Sequence, residues 1–227
     1  MLDNLNIIVP SKNEAKNLDF IIPKLLKYTN DITIVDGNSK DGTDEICKKY
    51  NVKYLLDNNL GKGDAQRVGA ENCTKKYIIF FDSDGSHQEE DIPHLYNKII
   101  QDNVDLVICS RKTGGSYDLT ANISWGGFIR AIGTDFLSIL LNKLFNTEIS
   151  DVLYSLKAIE KEKFINLKTK ENHFGIEIDI ILRSIKQKLN IVEIPSREKK
   201  RVYGVSKLKT ISGLYFIYQI LIFKIWN

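Results

Sequence analysis

The sequence is short of sulfur and proline, with three cysteines, one methionine and four prolines in 227 residues. Cys47, Cys73 and Cys109 lie far apart and make no CxxC pair. A disulfide framework and a structural zinc site are thereby disfavoured, and the three read as reduced core thiols. Large net charge is also missing. The 32 basic and 29 acidic residues leave +3 at neutral pH, too little to indicate a nucleic-acid partner. No apolar run reaches the ~20 residues that span a bilayer. The stretch from Gly213 to Trp226 comes closest, but Gln219 and Lys224 interrupt it. Met1-Leu2-Asp3-Asn4 has neither the basic start nor the apolar stretch of a signal peptide, so a cytoplasmic location is expected. Repeats, low-complexity tracts and Pro/Gly-rich linkers are absent as well. One domain over residues 1–210 is expected, followed by a C-terminal apolar segment over 211–227.

What is present is an ordinary globular composition, 43% hydrophobic and 27% charged, arranged in alternation. Short β-branched runs (Asn6–Val9, Ile32–Val35, Val52–Leu56, Tyr77–Phe81, Asp105–Ser110) predict strands. Between them lie helical stretches: Leu18–Tyr28, Thr43–Tyr50, about Asp64–Asn72, and one opened by Ile92-Pro93. A further amphipathic stretch runs from Ile129 to Phe145. Such alternation predicts an α/β fold, a Rossmann-like, mainly parallel sheet flanked by helices. Ligands of these sheets bind beyond the carboxyl ends of the strands.

At those ends stand Pro10-Ser11-Lys12-Asn13-Glu14, then Asp36 to Thr43, then Asp82-Ser83-Asp84, then Ser110-Arg111. Asp82 and Asp84, released together from an apolar strand, suit one hard cation such as Mg²⁺ or Mn²⁺, shared with substrate phosphates. Gly61-Lys62-Gly63 precedes a helix, where a glycine turn allows close approach of phosphate. It is neither a Walker loop nor the GxGxxG fingerprint, so hydride transfer is disfavoured.

Together these segments resemble glycosyltransferase family two, of GT-A fold, and within it the dolichyl/polyprenyl-phosphate sugar synthase branch. Pro10 to Glu14 matches Pro-x-x-Asn-Glu, and Val35 to Thr43 is similar to Val-Asp-Asp-Gly-Ser-x-Asp-Gly-Thr. Gly61 to Gly63, Asp82 to Asp84 and Glu89 to Pro93 follow in order, then Cys109-Ser110-Arg111, Phe174 to Glu177, and Arg201 to Lys207 as Arg-x-x-Gly-x-Ser-Lys. The chain departs from the pattern in three places. Gly37 replaces a second Asp, and Ser86 stands where some relatives offer a metal-binding Gln. Asp-x-x-Ser-Gly-Phe-Arg becomes Asp151-Val152-Leu153-Tyr154-Ser155-Leu156-Lys157.

The resemblance implies an inverting, metal-dependent transfer of a hexose from a nucleotide sugar, GDP-mannose or UDP-glucose, to a lipid phosphate. Asp82 and Asp84 would hold the metal that neutralises the leaving diphosphate. Pro10, Asn13, Glu14, Asp36, Lys62 and Asp82 would form the donor pocket. A lipid-phosphate oxygen is already anionic near neutral pH and needs positioning more than a base. Arg111, Arg130 and Arg201 suit that role, with Lys207 as a point charge. For a soluble or glycan hydroxyl acceptor, Asp151 or Glu177 would be the base. A catalytically inactive nucleotide-binding subunit is the non-enzymatic alternative, disfavoured by the intact Asp82, Asp84, Arg111 and Arg201. The basic cluster Arg197 to Lys209, followed at once by Leu214 to Trp226, has the composition of an interfacial segment. Peripheral contact with the cytoplasmic face of a membrane is expected from it. A helix packed on the domain is the competing reading.

Overall fold

The computed structural model describes residues 1–115, 125–204 and 212–226, with side chains from 131 onward in the helix that begins at Trp125. Seven strands form one sheet in the order β3-β2-β1-β4-β6-β5-β7. They are β1 Leu5–Ser11, β2 Ile32–Asp36, β3 Lys53–Leu56, β4 Tyr77–Phe80, β5 Leu106–Ser110, β6 Lys157–Glu160 and β7 Ile191–Pro195. The described helices are α1 Ala15–Leu25, α2 Thr43–Lys49, α3 Lys62–Glu71, α4 Asp91–Ile99, α5 Trp125–Phe145, α6 Lys161–Leu167, α7 Ile176–Lys186 and α8 Ser212–Trp226.

Side chains alternate across each strand, so the sheet separates two apolar layers. Leu5, Ile7 and Val9 of β1 face Leu18, Ile22, Ile92 and Leu95, burying one surface of α1 and α4. Ile8, Phe80 and Ile108 face the other way, against Ala70, Leu141, Phe164, Ile178 and Ile181. All pairings are parallel except those of β6, which runs antiparallel to both β4 and β5. The reversal matters for the site. The carboxyl ends of β1, β2, β4, β5 and β7 share one edge, and β6 delivers its amino end there, with Lys157 opposite Phe80. Neither β6 nor β7 was expected from the run of β-branched residues.

Helix α8 packs through Phe216 and Ile220, while Gln219 Nε2 donates to the Gly175 carbonyl at 2.9 Å. Its other face leaves Leu214, Tyr218, Leu221, Ile225 and Trp226 exposed. No helix among the described residues is long and apolar enough to cross a membrane. The three cysteines are buried and unpaired.

Candidate active site

β4 ends at Phe80, and the chain then turns out of the sheet through Asp82-Ser83-Asp84. Asp82 is held from two sides. Lys62 Nζ, from the first turn of α3, lies 2.7 Å from its Oδ1, and the Ser155 hydroxyl donates to Oδ2 at 2.6 Å. Lys62 also lies 3.0 Å from Glu177 Oε1, and Glu177 Oε2 lies 2.5 Å from Lys157 Nζ. Lys157 is completely buried and Glu177 is only 4% exposed, so this is an ion chain inside the protein. Burial alone would push the Asp82 carboxyl up, but the charge of Lys62 outweighs it and, with the hydrogen bonds from Lys62 and Ser155, holds it well below the usual carboxylate range. Glu177 behaves alike: burial raises it, and Lys157 with Lys62 brings it below its ordinary value. Burial disfavours the charged form of Lys62, yet its two carboxylates raise it well above the usual lysine range.

Asp84 has different neighbours. Its Oδ1 accepts from the Ser86 amide at 2.9 Å, and its Oδ2 lies 2.7 Å from Arg201 Nη2. Arg201 Nη1 lies 3.4 Å from Glu14 Oε1. Arg201 belongs to a strap, residues 196–204, that crosses this loop. Lys199 N donates to Ser86 O at 2.7 Å and Val202 N to Asp84 O at 3.1 Å. The strap comes so close because residue 85 is glycine. Gly85 has φ +76°, and a Cβ there would meet Val202 Cγ2 at 2.7 Å.

The acceptor-side candidates form a third group. Arg111 follows β5 and grips Asp151 with Nε at 2.7 Å and Nη2 at 3.0 Å, while Nη1 reaches Glu198 of the strap at 3.0 Å. The guanidinium lies 4.9 Å from the Tyr154 ring centroid. Asp151 is fully buried; burial raises its carboxyl, and Arg111 then brings it below the ordinary value.

On the donor side, Asn13 joins the β1 and β2 loops, its amide donating to Ser39 Oγ at 2.6 Å and its Oδ1 accepting from Lys40 N at 3.0 Å. Glu14 accepts from Asn17 at 2.5 Å and closes β1 toward Arg201. Pro10 lies one register step from Ser11, which pairs with Asp36. Asp36 is fully buried, and its carboxylate accepts from Ser39 N at 2.8 Å, from the Ser39 hydroxyl and from Tyr54 Oη at 2.9 Å. These contacts shape the β2 loop from within.

The structure thus brings Lys62, Asp82 and Glu177 into one network and Glu14, Asp84 and Arg201 into a second, with Arg111 and Asp151 joined to the second through the strap. Two expectations need adjustment. The amide of Gly63 donates to Asn172 O at 2.8 Å, and a Cβ at Gly63 would meet Glu171 O at 2.1 Å. The glycine turn therefore serves the packing of the loop before α7, and its Gly63 amide does not point at an open phosphate site. Lys199 and Arg201, read as part of an interfacial basic cluster, instead form ion pairs with Glu89, Glu90, Glu14 and Asp84. Arg130 lies in α5 with its side chain outside the described set, and Lys207 lies outside the described residues.

His87, Ser155 and Lys157 were not singled out. A lone lysine inside the apolar run Leu156-Lys157-Ala158-Ile159 was the available signal, because a buried ammonium requires a carboxylate partner.

No group of three or more His, Cys, Asp or Glu side chains converges as a metal cage among the described residues. Two strand-end carboxylates nevertheless fit Mg²⁺ or Mn²⁺ taken up with a diphosphate, since such ions use one or two protein carboxylates plus phosphate oxygens. In the structure the Asp84 carboxylate is paired with the Arg201 guanidinium.

The chain is similar to several known proteins. Glycosyltransferase AglJ of Haloferax volcanii is 23% identical over 207 residues, covering 89% of this chain and 65% of that protein. The UDP-N-acetylglucosamine–dolichyl-phosphate N-acetylglucosaminyltransferase of Methanococcus voltae is 24% identical, over 96% of this chain and 95% of that one. Glucosyl-3-phosphoglycerate synthase from Mycobacterium tuberculosis, solved with Mn²⁺, UDP-glucose and phosphoglyceric acid, superposes with a TM-score of 0.75. That match covers 97% of this chain and 79% of that one at 16% identity, and so concerns the fold. The model of glycosyl transferase family 2 matches residues 6–167, and the chain belongs to that family, as a glycosyltransferase of GT-A fold.

Proposed function

We propose that this glycosyltransferase moves a sugar from a nucleoside-diphosphate sugar to a polyprenyl-type lipid phosphate, with Mg²⁺ or Mn²⁺ bound alongside the donor. The observation that carries the choice of acceptor is the state of the two candidate bases. Asp151 is committed to Arg111, and Glu177 sits between two lysines, each with its carboxyl held below its ordinary value. A general base works best with a pKa near the operating pH, and these two are moved away from it. A phosphate monoester acceptor is already ionised and needs no base. It needs cations to hold it, and Arg201 on the strap and Arg111, tied to the strap through Glu198, supply them.

In this reading Asp82 and Asp84 hold the metal, which supplies electrostatic neutralisation of the departing diphosphate. Lys62 fixes Asp82, and its own charge stays on at every physiological pH. Arg201 leaves Asp84 when the donor arrives and turns to phosphate, for which a guanidinium is suited by its paired donors. The Methanococcus voltae relative supports a UDP-sugar and a dolichyl-phosphate acceptor by its name. UDP-glucose and GDP-mannose remain the other donors to test. The exposed apolar face of α8, with Ile132, Phe136 and Ile139 of α5, suits peripheral contact with the lipid surface where such an acceptor resides. Residues 1–210 would then be the catalytic domain and 211–227 its membrane-facing segment.

A transfer assay with a short-chain polyprenyl phosphate and Mn²⁺, run with UDP-N-acetylglucosamine, UDP-glucose and GDP-mannose, tests the proposal. One donor should give glycolipid, and Asp84→Ala should abolish it with an unchanged melting transition. Full activity of that variant after chelation and return of Mg²⁺ would remove Asp84 from the metal site. Transfer to a hydroxyl acceptor but none to the lipid phosphate would overturn the acceptor.

A further inference from the structure

Behind Asp82 lies a closed circuit of hydrogen bonds. The Asp82 backbone N–H donates to His87 Nδ1 at 3.1 Å. Nδ1 is therefore an acceptor, and the neutral ring carries its proton on Nε2. His87 Nε2 lies 3.1 Å from the Ser155 hydroxyl oxygen, and that hydroxyl lies 2.6 Å from Asp82 Oδ2. Each group has one consistent role: Nε2–H donates to Ser155 Oγ, and Ser155 O–H donates to the carboxylate. The circuit begins at the main chain of Asp82 and ends at its side chain, so it defines both the loop and the rotamer.

The ring of His87 has no freedom to leave. It is 1% exposed and meets Phe81 and Tyr154 edge-on, with centroids 5.0 Å away in each case. Lys62 occupies the other oxygen of Asp82. Ser155 comes from the loop entering β6, two residues before the buried Lys157.

We propose that Ser155 and His87 are positioning residues for Asp82, presetting its carboxylate for the metal–nucleotide complex. The inference rests on the donor reading above. Neither residue touches substrate in this scheme. Ser155 acts through Asp82, and His87 acts through Ser155 and the Asp82 amide. Without the hydroxyl, Oδ2 loses its donor while Lys62 still pulls on Oδ1, and the carboxylate is free to rotate.

Binding of Mn²⁺ with UDP, and in parallel with GDP, measured by calorimetry and by the Mn²⁺ paramagnetic signal, tests this without any turnover. Ser155→Ala should weaken the ternary complex about tenfold, the size of a hydrogen bond to a charged group. Ser155→Thr, which keeps the hydroxyl, should return it to about the wild-type value. His87→Phe keeps the edge-on aromatic packing and loses both nitrogens, and it should weaken binding at least as much as Ser155→Ala. Melting temperatures run beside each titration separate affinity from folding. A purely structural role would lower the melting temperature and leave the affinity of the folded protein unchanged, which would overturn the proposal. So would failure of threonine to rescue. If the wild-type protein binds neither Mn²⁺–UDP nor Mn²⁺–GDP, the donor reading falls and this inference falls with it. Wild-type binding matched by Ser155→Ala would overturn the positioning role alone.

Discussion

Asp82 and Asp84 are two residues apart, yet they belong to different kinds of structure. Asp82 is joined to an interior chain of alternating charges that runs through Lys62 and Glu177 to Lys157 on β6. Asp84 is joined to Arg201 on the strap, whose companions Lys199 and Glu90 are exposed. The interior chain is built on β4, β6, α3 and α7, and it cannot rearrange without unpacking the core. The strap is attached from outside the sheet, by backbone hydrogen bonds from Lys199 and Val202 and by ion pairs, so the sheet's own hydrogen bonds do not depend on it. Charges with the same apparent chemistry therefore have different duties. Those inside fix geometry before any ligand binds, and those on the strap can exchange one partner for another.

The sharpest way to break this contrast is Lys157→Met. Removing one member of a buried pair leaves Glu177 partly uncompensated, at a cost of about 3–5 kcal/mol. Denaturant unfolding should show that loss at unchanged slope. A loss below about 1 kcal/mol would mean the centre is as tolerant as the surface, where ion pairs contribute that little.

Arg201→Ala should produce the opposite profile. Its removal should barely change the unfolding midpoint, because Asp84 at the loop can be hydrated. Charge-assisted phosphate contacts contribute about 1.5–3 kcal/mol, so binding of a lipid-phosphate acceptor should fall about tenfold or more. Donor affinity should hold or rise, since Asp84 is then released to the metal. Equal losses for donor and acceptor would place Arg201 on the wrong substrate.

The same contrast explains what the sequence disclosed. The strand-end rule located Asp36, Asp82 and Arg111, since these follow runs of β-branched residues whose period is unmistakable. Asp36 also organises its own loop, because a carboxylate after a strand is suited to bracing the turn. Ser155 and Lys157 escaped because they enter at the amino end of an antiparallel strand, and the rule looks only at carboxyl ends. The strand β7, Ile191-Val192-Glu193-Ile194-Pro195, was hidden by a charged residue whose carboxylate accepts the Ser150 and Asp151 amides. The pairing of Arg201 with Asp84 spans more than a hundred residues, and no local pattern encodes a contact of that separation. The basic cluster is only partly legible for a related reason: composition gives the sign of Lys199 and Arg201 and never their carboxylate partners.

The smallest effect should come from Lys199, and its pH dependence is the more informative part. Its Nζ lies 3.1 Å from Glu89 Oε2 and 3.2 Å from Glu90 Oε2, with the lysine 39% and Glu89 13% exposed. Solvent screening limits such a pair to about 0.5 kcal/mol, so Lys199→Ala should lower stability only by that order at neutral pH. Burial raises the Glu89 carboxyl, but its own backbone amide, Lys24 and Lys199 bring it down to about 2 from an ordinary 4.5. A carboxylate depressed in the folded state contributes stability that is full above its unfolded pKa and is lost as pH falls toward the folded one. The difference between wild type and Lys199→Ala should therefore be constant from neutral pH to about 5 and shrink between about 4.5 and 2. It should also shrink with added salt, since exposed charges are screened over about 8 Å at physiological ionic strength. Urea unfolding of both proteins across that pH range at low and high salt would show it. A difference that persists unchanged at pH 2 or in high salt would mean that Lys199 holds the strap through its aliphatic stem, and the strap would then be tied by packing as the interior is.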